Sequence, residues 1–110
     1  MTGRPRPRMT ITTQLVLQLL LADPERELYG FEIGQEAGLP SGTVHPILAR
    51  LEALGWVSSR WEDVDPSQAG RPARRYYRLS AEGEPAARAA LARAHRPALL
   101  YRPFPVGGQT

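Results

Sequence analysis

A chain of 110 residues without cysteine has room for one small domain and excludes a disulfide framework, a thiolate metal site and a thiol redox sensor. Its net charge of +3 comes entirely from Arg4, Arg6 and Arg8, because residues 9–110 set 11 arginines against 11 acids, so the basic excess is weak evidence for a nucleic-acid partner. The longest apolar run, Leu15 to Leu21 broken by Gln18, is too short to span a bilayer and lacks signal-peptide flanks, which makes a cytoplasmic protein with no membrane partner the expectation.

Residues 1–9 alternate Arg and Pro, have nothing to bury and read as a disordered arm, with Met9 as an alternative start. Residues 11–22 predict a helix that is apolar nearly all round, capped by Thr10, Thr12 or Thr13 and ended by Asp23-Pro24. A shorter helix follows over about 29–37, with Tyr29, Ile33 and Ala37 on one face and Gly38 as its stop. Leu39-Pro40 makes the turn into a third helix at 41–54, with Ser41 as its expected cap. Its apolar residues Val44, Ile47, Leu48, Leu51 and Leu54 fall on one face, leaving Gly42, His45, Pro46, Ala49 and Arg50 outward.

Gly55 ends that helix, and Trp56 to Trp61 alternates as a strand whose antiparallel partner is 74–79. About a dozen residues lie between them, long for a hairpin, and loops of that length are functional or disordered. Ser80 caps a last, alanine-rich helix to about Arg96, with Pro85 awkward near its start. The chain thus divides into an arm at 1–9, a domain at 10–80, a helix at 81–100 and a flexible tail at 101–110. The expected fold is mainly α with a small two-stranded antiparallel sheet, ordered helix-helix-helix-strand-wing-strand-helix: a winged helix-turn-helix.

Residues 29–83 resemble the PadR family of bacterial transcriptional regulators. The resemblance rests on Tyr29-Gly-Phe-Glu-Ile33, Ser41-Gly-Thr-Val-His-Pro-Ile-Leu48, Arg50-Leu-Glu52 with Gly55-Trp-Val57, and Arg75-Tyr-Tyr-Arg-Leu-Ser80 followed by Gly83. His45 stands where the family usually has tyrosine, and the short region after Gly83 is similar to the small subfamily with one C-terminal helix. The resemblance implies a homodimeric DNA-binding repressor, relieved by a small-molecule effector or another signal, with a cleft at the dimer interface as the place for that effector.

A helix with a small, polar outer face suits a major groove. Ser41, Gly42, Thr43, His45, Pro46 and Arg50 are the candidate contacts to double-stranded DNA there. Arg50 has a second reading, an ion pair with an acid on a neighbouring helix. Arg71, Arg74 and Arg75 in the wing are the candidates for phosphates or the minor groove, against a solvated loop without a partner. Leu15, Leu91, Leu99 and Leu100 are the expected dimer anchors. Glu62, Asp63 and Asp65 read as solvating acids or salt links to the wing arginines. Two histidines on separate elements make no metal site, and no nucleophile–base pair, phosphate loop or cofactor motif points to an enzyme. The rival reading is a winged helix used for protein interaction, without sequence-specific DNA binding.

Overall fold

Thr10 opens the first helix: its hydroxyl accepts from the Thr13 backbone N–H at 3.2 Å, and α1 (Ile11–Ala22) then runs until Asp23 leaves the helical region ahead of Pro24. The computed structural model describes the backbone of residues 6–100 and the side chains of residues 6–95. Arg4, the tail at 101–110 and the side chains of the expected anchors Leu99 and Leu100 lie outside the described residues. Although α1 is apolar nearly all round, only one face is covered, with Thr13, Val16, Leu17 and Leu20 buried. Ile11 and Leu15 stay exposed.

The sheet corrects the sequence reading. It has three antiparallel strands rather than two, in the order β1 (Leu28–Tyr29), β3 (Arg75–Leu79), β2 (Val57–Trp61). Leu28 pairs with Tyr77 and Tyr29 with Tyr76. A two-residue strand shows no periodicity, and Tyr29, expected at the start of the following helix, lies in β1 by virtue of the neighbour it pairs with. Val57, Leu28 and Leu79 turn inward, while Ser58, Arg60 and Arg78 face out.

Helix α2 (Gly30–Ala37) begins one residue after Tyr29, whose backbone N–H donates to the Glu32 carboxylate at 3.1 Å. Gly38 ends it with φ +73°, a left-handed conformation that glycine adopts without strain. Helix α3 (Ser41–Ala53) is capped by Pro40, not by Ser41, which is its first residue. Pro40 is held extended, and its carbonyl accepts from Thr43 at 2.9 Å and Val44 at 3.1 Å, so the turn supplies the cap geometry one residue earlier. At the other end, Trp56 N–H donates to the Leu51 carbonyl and Gly55 N–H to the Glu52 carbonyl, both at 2.9 Å, with Gly55 at φ +81°. These two bonds form a Schellman ending that turns the chain directly into β2.

The loop between β2 and β3 contains a single-turn helix, α4 (Pro66–Ala69), opened by the Asp65 carboxylate accepting from Ser67 N–H at 3.0 Å. Its four residues are all exposed, so no apolar pattern announces it. The last helix, α5 (Gly83–Leu100), starts where Ser80 Oγ accepts from Gly83 N–H at 2.9 Å while donating to the Gly55 carbonyl at 2.7 Å. Pro85 falls in its first turn, where the missing N–H has no helical partner to lose. Gly83, Ala87 and Ala90 form the buried face of α5, which packs against α1. The shared core of Val16, Leu17, Leu20, Ile33, Val44, Leu48, Leu51 and Trp56 fixes α3 from behind and leaves its other side to solvent.

Candidate nucleic-acid interface

Val44, Ile47, Leu48 and Leu51 anchor α3 in the core, and the remaining positions turn outward. Ser41, Gly42, His45, Pro46, Ala49 and Arg50 are exposed and Thr43 is half-buried, so the six candidate contacts of this helix lie along one accessible side. Pro46 sits inside the helix and has no N–H for the Gly42 carbonyl. That carbonyl therefore keeps acceptor capacity on the exposed side, beside a residue with no side chain to shield it. The His45 ring lies against α2, close enough that a Cβ on Gly30 would meet its Cε1 at 2.8 Å. Arg50 takes part in none of the six ion pairs formed among the described residues, which disfavours its reading as a partner of a neighbouring acid.

The wing arginines are each held differently. Arg71 donates through both terminal nitrogens to the Glu62 carboxylate, at 2.7 and 3.0 Å. Arg75 donates from Nε to Ser59 Oγ at 2.9 Å and from Nη2 to Glu52 at 3.3 Å, while Ser59 Oγ donates to Glu52 at 2.6 Å. The same guanidinium lies over Trp61 at 5.5 Å and Tyr77 at 5.9 Å. This group ties the end of α3 to the wing sheet. Arg74 forms no ion pair among the described residues and instead lies over the Tyr29 ring, 4.2 Å from its centroid.

Several participants escaped the sequence reading. Tyr29 and Tyr76 meet edge to face at 5.7 Å, Arg60 lies over Tyr76 at 5.3 Å, and Phe31 stacks beside Tyr29 while remaining 62% exposed. Together with Arg74 they form a row of aromatic rings and guanidiniums at the base of the wing. The Arg71–Glu62 pair is the expected salt link between a loop acid and a wing arginine, whereas Glu52, the other acid that holds the wing, has no assigned role in the sequence reading. The signal for them is cross-strand register, which depends on a loop whose length the strands alone do not reveal.

The guanidinium of Arg71 holds the Glu62 carboxyl at about 2, from an ordinary value of 4.5, with the Arg74 backbone N–H adding to the effect against partial desolvation. Arg60 likewise lowers Glu27. Among the described residues no group of His, Asp and Glu could hold a metal ion, and no helix is long and apolar enough to cross a membrane. A cavity of about 470 Å³ lies between the end of α3 and α5, bordered by Leu54, Trp56, Ala86, Ala89, Arg6 and Arg93.

The model of the "Transcriptional regulator PadR-like family" matches residues 16–89. Among solved structures, the chain is similar to overoxidized AbfR bound to DNA, with 26% identity and a TM-score of 0.61 over 89% of this chain and 63% of that one. Reduced AbfR bound to DNA gives 28% identity and a TM-score of 0.61, covering 84% of this chain and 62% of the other. The chain thus spans less than two thirds of AbfR. A PadR family transcription regulator from hypervirulent Clostridium difficile shares the fold at 22% identity and a TM-score of 0.61, over 81% of this chain and 91% of that one. No curated protein matches the chain.

Proposed function

Because the chain belongs to the PadR-like family of transcriptional regulators, we propose that it is a cytoplasmic, homodimeric repressor that reads a near-palindromic DNA operator. The observation that carries this reading is the exposed side of α3: an apolar face locked in the core, and an opposite face of Ser41, Gly42, His45, Pro46, Ala49 and Arg50 open to a groove. Small residues at 42 and 49 let the backbone approach base edges, while Ser41, Thr43 and His45 supply hydrogen-bonding groups at the N-terminal end, where recognition helices make their base contacts. The wing then lies along the adjacent backbone, with Arg74 as its arginine outside the ion pairs of the described residues. AbfR, which shares the fold, was solved on DNA, and this supports the same use of the surface here. Two-fold symmetry through α1 and α5 sets half-sites roughly one turn, about 10 base pairs, apart. A small-molecule effector, if one acts, would do so by changing the angle between the two α3 helices.

The test is selection from a pool of random-sequence duplexes with purified protein at about physiological salt, followed by sequencing. One enriched near-palindrome is the expected result. Featureless recovery that vanishes with modest added salt would mean charge attraction alone and would favour the protein-interaction reading. Raised expression of the gene beside the enriched site, after deletion of the regulator, would establish repression.

A further inference from the structure

Of the six ion pairs among the described residues, Arg71–Glu62 is the most enclosed, with side chains 33% and 16% exposed. In each of the others the two side chains are between 32% and 89% exposed. Glu62 also does more than pair. Its carboxylate accepts three N–H groups: two from the Arg71 guanidinium and the backbone N–H of Arg74 at 3.1 Å. Its own backbone N–H donates to the Arg74 carbonyl at 2.7 Å. Glu62 and Arg74 are therefore joined in both directions at the base of the wing, and Arg71 reaches back from the far side of the loop to lock the carboxylate in place. The Arg74 side chain is fixed independently by the Tyr29 ring.

We propose that Glu62 is the positioning residue of the wing: clasped by Arg71, it holds Arg74 in the pose that meets a DNA phosphate, and Arg71 serves that clasp rather than touching DNA itself. This rests on the DNA-binding reading and adds an acid to machinery otherwise sought among cations. The physical case is that a loop of about a dozen residues is costly to order, and one carboxylate taking three donors closes it at its neck. Arg71 donates from Nη1 to both Glu62 and the Pro72 carbonyl, at 2.7 and 3.2 Å, and from Nη2 to Glu62, so most of its donors already serve the clasp and its charge is matched by the carboxylate before any phosphate arrives.

The two possible roles of Arg71 predict opposite signs. If Glu62 positions Arg74, Glu62→Ala weakens binding to the random-sequence duplex pool about tenfold and flattens the dependence of log affinity on log salt by about 0.9, one lost phosphate contact, although it removes a negative charge. Arg71→Ala does the same. Adding either to Arg74→Ala costs almost nothing further, because the contact is already gone. Glu62→Gln, which retains an acceptor for the Arg74 N–H, falls between. If Arg71 contacts DNA itself, Glu62→Ala binds more tightly at unchanged slope and only Arg71→Ala flattens it, and the proposal is overturned. No change in Glu62→Ala overturns it equally. Amide exchange without DNA separates this from failure of the DNA reading. A wild-type protein that retains no duplex sinks the proposed function, while faster exchange at Arg74 in Glu62→Ala still upholds the clasp and unchanged exchange refutes it.

Discussion

At the scale of single residues, the Glu62 carboxylate makes the neck of the wing sensitive to pH, and Asp65, lowered by its bonds from Ser67, does the same for α4. The Glu62 value in the folded protein, about 2, lies below the ordinary 4.5, so its contribution to wing order is complete above about pH 4.5 and is lost as pH falls towards 2. The protection of the Arg74 amide, taken relative to intrinsic exchange at each pH, should accordingly fall between about pH 4 and pH 2, before that of the core amides of α1. Protection that is flat over that range would show that the carboxylate does not hold the loop. Two glycines make contrasting tests of contact. A Cβ on Gly83 would run into the backbone carbonyl of Trp56, which has nowhere to go, so Gly83→Ala should destabilise the fold by about 3 kcal/mol in a thermal melt. A Cβ on Gly30 would meet only the end of the exposed His45 ring, which can swing aside. Gly30→Ala should change stability by less than about 1 kcal/mol yet shift base preference at the same operator positions as His45→Ala. A preference identical to wild type would place His45 off the bases.

At the scale of elements, what could be read from the sequence is what repeats. The buried face of α3 is legible because its apolar residues recur at helical spacing, and the ends of α2 and α3 because glycine stands where each takes a positive φ. Of the face expected for α2 only Ile33 is buried, beside Gly30 and Gly34, which carry no apolar signal. Strands β2 and β3 were legible as alternation. The illegible parts are those created by neighbours. Strand β1 is two residues given their state by Tyr76 and Tyr77, and α4 is a single exposed turn set by the Asp65 side chain and Pro66. Ser41 has the residue type that favours a cap, yet Pro40, already extended and offering its carbonyl, occupies that place. The candidate site divides in the same way. The exposed side of α3 follows from periodicity alone, whereas the partners of Arg71, Arg74 and Arg75 depend on register across a loop and on Tyr29, Glu52 and Glu62, none of which lies beside them in sequence.

At the scale of the whole molecule, charge and apolar surface point to different partners. Six arginines are paired with six acids among the described residues, so net charge says little, while Arg50 and Arg74 stand without an acid at α3 and at the wing. The uncovered apolar surface of α1 lies elsewhere: Ile11 is 70% exposed and Leu15, one turn on, 36%. Helix α5 packs on α1 and leaves Leu91 half-buried. A partner protomer seated on α1 and α5 would cover all three, and burial of such side chains is worth roughly 1.5–3 kcal/mol each. Placing like charges on both sides of a two-fold interface reverses that gain. Ile11→Arg with Leu15→Arg should therefore give a monomer in sedimentation with an unchanged circular dichroism spectrum, since neither side chain belongs to the core. Such a monomer reads one half-site only, so its affinity for the full operator should fall about 100-fold or more while non-specific binding to short duplexes changes little. A variant that still sediments as a dimer would move the interface off α1. A wild-type protein that is monomeric at micromolar concentration would remove the symmetry on which the palindromic operator depends.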